Sequence, residues 1–77
     1  MQYRTTDIVL AACLKLQGFL MESIEVEGRR GTFIFSSVPD EVIKDFNCGK
    51  IKVDPVTFHG MLRQLSTSVT RQLEMKR

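Results

Sequence analysis

The sequence predicts an α+β domain, and three observations favour that class. Two long segments and one short segment repeat apolar residues at helical spacing. A segment between the first two alternates apolar and polar residues, as a β-hairpin does. Turn-forming residues separate these segments. The predicted order is helix, hairpin, helix, short strand, helix (α-β-β-α-β-α), with a small, mainly antiparallel sheet and the helices packed on one face.

The size and composition of the chain allow one domain over residues 1–77. Apolar residues make up 43% and charged residues 26%, and the net charge is +2. These values exclude the commonest class of disordered protein. A chain this short buries only about 60–65% of the surface that its unfolded form exposes, so its stability is expected to be small.

The expected compartment is the cytoplasm. The longest apolar run, residues 8–14, is far shorter than the roughly 18 residues of a membrane span. It also lacks the flanking signals of a secretory leader. Two cysteines, Cys13 and Cys48, are too few for a disulfide framework, and we expect both to be reduced.

The first helix is predicted over residues 7–17. Thr5, Thr6 and Asp7 precede its apolar run and are N-cap candidates, with Asp7 placed to favour the positive end of the helix dipole. Gly18 follows the periodic segment and is a natural C′ residue.

A hairpin is predicted next, around a two-residue Gly28-Arg29 turn. Glycine in the first position suits a type II′ turn. This turn places Ile24 opposite Phe33 and Glu27 opposite Arg30. The apolar residues of the two strands then share one face: Ile24, Val26, Phe33 and Phe35.

Three further elements complete the prediction. Ser37 is a candidate cap for a short helix that ends at Gly49, and residues 50–53 alternate as a short third strand. The last helix starts with Asp54 at the N-cap and Pro55 at its first position, and is expected to fray after Leu73. Its apolar stripe consists of Phe58, Met61, Leu62, Leu65, Val69 and Leu73.

The first helix has apolar residues on all sides. One broad arc, formed by Ile8, Val9, Ala12, Cys13 and Leu16, can face the sheet, which leaves Leu10 and Leu14 on the other side. Two explanations stay open. The last helix covers Leu10 and Leu14, or these two residues form the interface of a homodimer.

No pattern of catalytic or metal-binding residues is present. His59 is the only histidine and has no close partner among Cys13 and Cys48, so we expect a helix-surface residue rather than a metal ligand or a base. The expectation is a protein that is not an enzyme and has no cofactor, no metal and no evident small-molecule substrate.

Basic residues point to a second kind of partner. Residues 46–77 carry six bases and two acids, whereas residues 22–45 carry three bases and six acids. Cations that alternate along a strand or line an exposed helix face can bind phosphates, and so can cations at a hairpin tip. The alternative is a solvated surface. The candidate residues are Arg29, Arg30, Lys50, Lys52, Arg63 and Arg71, with Thr67 and Thr70 between the last two.

The sequence resembles a family of small bacterial and phage proteins classed as a domain of unknown function. The resemblance covers about residues 3–65 and implies a gene carried by phages or other mobile elements. It assigns no activity and no binding residues. The segments that carry it are Tyr3-Arg4-Thr5-Thr6-Asp7, Leu10-Ala11-Ala12 with Leu14, Gly18, Gly28-Arg29-Arg30, Phe33-Ile34-Phe35, and Val53-Asp54-Pro55 with Phe58.

Together these features predict a non-enzymatic accessory protein that acts by binding, as a homodimer or with a host or phage protein. The alternative is a small DNA- or RNA-binding regulator that uses the basic residues. No membrane partner is expected.

Overall fold

The computed structural model describes residues 2–28 and 30–75. It confirms the α+β class, with a three-stranded antiparallel sheet in the order β1-β3-β2 and three helices. The elements in chain order are β1 (Tyr3–Thr5), α1 (Ile8–Leu16), β2 (Met21–Glu27), β3 (Arg30–Phe35), α2 (Asp40–Asn47) and α3 (Pro55–Met75).

The third strand lies at the start of the chain, so its prediction at residues 50–53 was wrong. Residues 50–53 form no strand, whereas β1 pairs with β3 and places Tyr3 opposite Phe35 and Thr5 opposite Phe33. A three-residue strand has almost no periodic signal of its own. Its conformation comes from hydrogen bonds to a strand about thirty residues later, which local patterning does not reveal.

Both ends of α1 form as predicted. The backbone amides of Val9 and Leu10 donate to the Asp7 carboxylate at 2.9 and 3.3 Å, which confirms Asp7 as the N-cap. Gly18 has a φ of +97°. Its amide donates to the Lys15 carbonyl, and the Phe19 amide donates to the Leu14 carbonyl. This Schellman pattern satisfies the last carbonyls of α1 and turns the chain toward β2.

The hairpin has the predicted register. Ile24 lies opposite Phe33 and Glu27 lies opposite Arg30. Gly28 has a φ of +60°, a left-handed conformation that glycine adopts readily and that the predicted turn needs at its first position. Arg29, the second turn residue and one of the predicted phosphate-binding residues, lies outside the described part of the chain.

The cap predicted for α2 was wrong. The helix begins at Asp40, its N-cap is Pro39, and no side chain caps it. Ser37 lies too far before the first turn to serve. Asp40 and Glu41 instead place negative charge at the positive end of the helix dipole. Gly49 ends the helix as predicted, with a φ of +71°.

The N-terminus of α3 confirms the Asp-Pro prediction. Pro55 is its first residue, and the Asp54 carboxylate accepts hydrogen bonds from the Thr57 amide at 2.8 Å and the Thr57 hydroxyl at 2.9 Å. The helix continues to Met75, two residues beyond the predicted fraying point.

Leu10 and Leu14 lie in the core, so their assignment to a dimer interface was wrong. Leu14 is 0% exposed and Leu10 is 5% exposed. Both belong to one cluster with Phe33, Phe35 and Leu65, which join α1 to β3 and α3. The explanation in which the last helix covers them is the one that the structure supports.

The solvent-facing side of α1 is correspondingly different from the prediction. Val9 was assigned to the arc that faces the sheet, yet it is 42% exposed. A helix that is apolar all round gives no sequence signal for which side is deepest. The packing of α1 against β3 and α3 determines which side of the helix is buried.

The sheet and α3 approach each other closely at one glycine. A Cβ atom placed on Gly31 would lie 2.8 Å from Cγ2 of Val69. Gly31 does not have a positive φ, so its lack of a side chain serves packing rather than backbone conformation. This contact fixes the depth at which the second half of α3 lies against the hairpin.

The outer face of the sheet is mainly polar. Arg4 on β1 and Glu25 on β2 form an ion pair with a nitrogen–oxygen distance of 3.1 Å. The pair spans β3 where Ile34 lies opposite Arg4, and Ile34 is buried. Both charged side chains are more than half exposed, so the ion pair adds little Coulombic stability.

We predict that Leu14→Glu leaves the chain unfolded, because a carboxylate at a fully buried site costs more than a domain of this size has in reserve. The matched control is Val9→Glu, which puts the same charge on the exposed side of the same helix and should change stability by under about 1 kcal/mol. Circular dichroism and urea unfolding measure both. A folded monomer for Leu14→Glu would restore the interface assignment.

We predict that Gly31→Ala destabilises the domain by about 1–3 kcal/mol, because the new methyl group overlaps Val69. The Gly31→Ala/Val69→Ala double variant should lose about 1 kcal/mol less stability than the sum of the losses in the two single variants. Gly60→Ala is the control, since an added Cβ there meets nothing within 4 Å. It should stabilise α3 by about 0.5–1 kcal/mol. Additive costs at positions 31 and 69 would contradict the close contact.

Candidate phosphate-binding surface on the last helix

The solvent-facing side of α3 forms a shallow polar groove. Two arginines, Arg63 and Arg71, line it, with Thr67 between them along the helix. Both arginines are exposed. We call this surface the α3 outer face. The residues that line it are Gly60, Arg63, Gln64, Thr67, Ser68 and Arg71.

The apolar stripe of α3 fixes which residues form this face. Leu65 is buried, and other residues of the stripe, among them Phe58 and Val69, pack against the core. Residues on the opposite side of the helix must therefore face solvent. Arg63 and Arg71 are eight residues apart, which is about 12 Å along the helix axis.

The two guanidinium groups have no carboxylate partner within the described residues. The one ion pair found there joins Arg4 and Glu25 on the other side of the molecule. Glu74 is the one acid of α3 and lies one turn beyond Arg71. The α3 outer face is therefore locally positive, although the whole chain carries a net charge of only +2.

Hydroxyl groups on and beside this face differ in their availability. The Ser68 hydroxyl donates to the Gln64 carbonyl and the Thr70 hydroxyl donates to the Ser66 carbonyl, each at 3.0 Å. These two protons are committed to the helix backbone. Thr67 makes no such hydrogen bond in the described part of the chain, so its hydroxyl can donate to an oxygen acceptor.

Arg30 joins the same side of the molecule through β3. It lines a second groove together with Ser66 and Thr70, which lie beside the α3 outer face on the helix surface. Three residues predicted as phosphate ligands thus line grooves beside α3: Arg30 lines the second groove, and Arg63 and Arg71 line the α3 outer face. The first is more than thirty residues from the others along the chain.

The two lysines of the predicted third strand do not join this surface. Lys52 lines a separate depression at the start of α3, together with Leu16, Val53 and Thr57. Lys50 is exposed directly after α2 and lines neither groove beside α3. Both lysines therefore lie away from the two grooves that the arginines line, because residues 50–53 run as a connection to the first turn of α3 and not as a strand beside it. A phosphate-binding role for them stays a prediction.

Asp54 accounts for the negative charge near that depression. Hydrogen bonds from the backbone and side chain of Thr57 lower the pKa of the Asp54 carboxyl below its ordinary value. The ionised form is the one that caps α3, so this carboxylate is committed to the helix end.

The remaining reactive side chains do not gather into a site. His59 is exposed on α3. Within residues 2–28 and 30–75, no three His, Cys, Asp or Glu side chains are placed to hold a metal ion. Burial in α1, together with the charge of Asp7, raises the pKa of the Cys13 thiol. Cys13 is thus held as the unreactive thiol in the core.

Sequence reasoning found the arginines but missed three of their neighbours. Gly60, Gln64 and Ser68 share the α3 outer face with Arg63. Gly60 and Ser68 are each three residues from an arginine, and the three neighbours follow one another at intervals of four residues, which carried that signal. In the sequence, uncharged residues at these positions do not distinguish a groove from an ordinary solvated helix face.

The fold and this surface define a small α+β domain with a basic helix face. The chain belongs to the family described as Domain of unknown function (DUF5659), whose match covers residues 1–71. Comparison with curated proteins and with solved structures finds no match. In the described part of the chain, no helix combines the length and apolar character of a membrane span.

We predict that a thiol-alkylating reagent modifies Cys48 first and Cys13 at least about tenfold more slowly. Cys48 is exposed, whereas Cys13 is 5% exposed with a raised pKa. Mass spectrometry of timed samples measures both rates. In denaturant the two rates should become similar. Equal rates in the native protein would contradict the buried position of Cys13 in α1.

Proposed function

We propose that this protein is a non-catalytic domain that binds the phosphate backbone of nucleic acid through the α3 outer face. The observation that carries the proposal is the pair of arginines, Arg63 and Arg71, which lie about two turns apart on one helix and have no carboxylate partner among the described residues. The proposal also takes from the sequence a cytoplasmic location and a gene carried by a phage or other mobile element.

Guanidinium groups on an exposed helix face are suited to phosphate contact. Their planar donors match the oxygens of a phosphate. The separation of about 12 Å along α3 is close to the width of the major groove of DNA, about 12 Å. A helix that crosses this groove can therefore present Arg63 to one strand and Arg71 to the other.

The lack of stacking groups favours a duplex over a single strand. Single-strand binders use exposed aromatic side chains on which bases stack. None of the residues that line the α3 outer face is aromatic, and Phe58 of the same helix packs against the core. We therefore expect duplex DNA or RNA to bind more tightly than a single strand of the same length.

A homodimer that uses Leu10 and Leu14 is not part of this proposal. Both side chains fill the core of one chain. A protein partner of another kind would be expected to leave an apolar patch, whereas the most exposed large apolar residues, Val56 and Met75, lie at opposite ends of α3.

Fluorescence anisotropy with a labelled mixed-sequence duplex tests the proposal across a range of salt concentrations. The wild-type affinity should fall steeply with salt, by about 0.9 in logarithmic slope for each phosphate contacted. The Arg63→Gln/Arg71→Gln variant should bind at least about tenfold more weakly and lose about 1.8 from that slope. Both substitutions are on an exposed face, so the fold should be kept.

Two further variants sharpen the comparison. Lys44→Gln removes one exposed positive charge from α2, away from the groove, and should change the affinity by less than about twofold. Glu74→Gln removes the acid nearest Arg71 in sequence and should strengthen binding. Absent or salt-independent binding, or an equal loss in Lys44→Gln, would reject the α3 outer face as the binding surface.

A further inference from the structure

A second groove lies between the hairpin, the start of α1 and the last turns of α3. Its volume is about 400 Å³, near the lower end for small-molecule sites. Four of its lining residues are apolar, namely Ile8, Phe33, Val69 and Leu73, of which Phe33 is almost fully buried. The first two of these residues come from α1 and β3, so three elements of the fold build this surface.

The polar side chains that line this groove carry hydrogen-bond donors, and within the described residues none of them is a carboxylate. Among the described residues that line it, Arg30 is the one that is charged. Glu27 lies opposite Arg30 in the β-ladder, yet the pair is not among the ion pairs of the described residues. The hydroxyls of Thr6 and Ser66 also line the groove, and neither makes a hydrogen bond in that part of the chain.

The apolar and the polar residues that line the groove together suit one kind of ligand. Arg30 has no ion-pair partner among the described residues, and the neighbouring hydroxyls make no hydrogen bond there. These groups favour an oxyanion, because its oxygens can accept the hydrogen bonds that water otherwise accepts. The apolar residues that line the same groove favour a ligand with a hydrocarbon body. A neutral hydrocarbon would leave Arg30 and the hydroxyl groups without a hydrogen-bond acceptor. A free inorganic anion would leave the apolar lining residues exposed to water.

We propose that the groove binds a small amphiphile with one oxyanion headgroup and an apolar body. The headgroup, a carboxylate or a phosphate monoester, lies at Arg30, and the body lies along Val69 and Leu73. This site goes beyond the proposed nucleic-acid surface, because Arg63 and Arg71 do not line it.

Chemical-shift titration of ¹⁵N-labelled protein tests the site with octanoate and, separately, octyl phosphate. The largest shifts should fall on the backbone amides of Thr6, Gly31, Val69 and Leu73. Octanoate should bind at least about tenfold more tightly than butyrate, since the longer chain buries more methylene groups. The tighter of the octanoate and octyl phosphate arms identifies the headgroup.

Matched probes and variants separate the alternatives. Octylammonium has the same chain length and the opposite charge, and it should bind at least about fivefold more weakly than octanoate. Arg30→Gln should weaken octanoate to a similar degree. Arg63→Gln/Arg71→Gln should leave octanoate binding unchanged, so a failure here and a failure of nucleic-acid binding are distinguishable.

Three outcomes would overturn the inference. The first is no shift at the four groove amides with either anion. The second is equal affinity for octanoate and octylammonium, which would indicate non-specific hydrophobic contact. The third is equal affinity for octanoate and butyrate, which would indicate a simple anion effect at Arg30.

Discussion

The burial of α1 is the constraint on which the rest of the molecule depends. From Leu10 to Leu14 every residue of this helix is buried, so it must be covered on almost all sides. Phe33 and Phe35 of β3 meet it from the sheet, and Leu65 meets it from α3. In a chain of 77 residues few elements remain after that requirement is met.

The position of α3 follows from the same requirement. Its apolar stripe is used to close the core, and Gly31 allows Val69 to lie close against β3. Once the inner side is fixed, the helical repeat places Arg63 and Arg71 on the outer side. The helix therefore serves stability on one face and ligand contact on the other, which is why substitutions on the two faces should have separable effects.

The two grooves along α3 also follow from this packing. One lies wholly on the helix surface and is polar, because nothing else covers that side. The other lies where the last turns of α3 pass over the hairpin and the start of α1, and it keeps some apolar surface that the core does not fill. Leu73 lines this second groove, although the stripe pattern assigned it to the core.

Much of this structure was predictable because its causes are local. The caps of α1 and α3 depend on Asp7 and Asp54 within a few residues of the amides they accept from. The hairpin register depends on a two-residue turn and alternation on either side of it. Arg63 and Arg71 were identified from helical spacing alone, because that spacing places them on one face of the segment whenever it is helical.

The sequence by itself determined the class of fold, both ends of α1, the start of α3, the hairpin register and the outward side of α3. The tertiary structure decided that β1 is the third strand, that Leu10 and Leu14 face inward, and that Arg30 lies beside α3. Each of these depends on contacts between segments far apart in the chain. An all-apolar helix and a three-residue strand carry no periodic signal that could reveal such contacts.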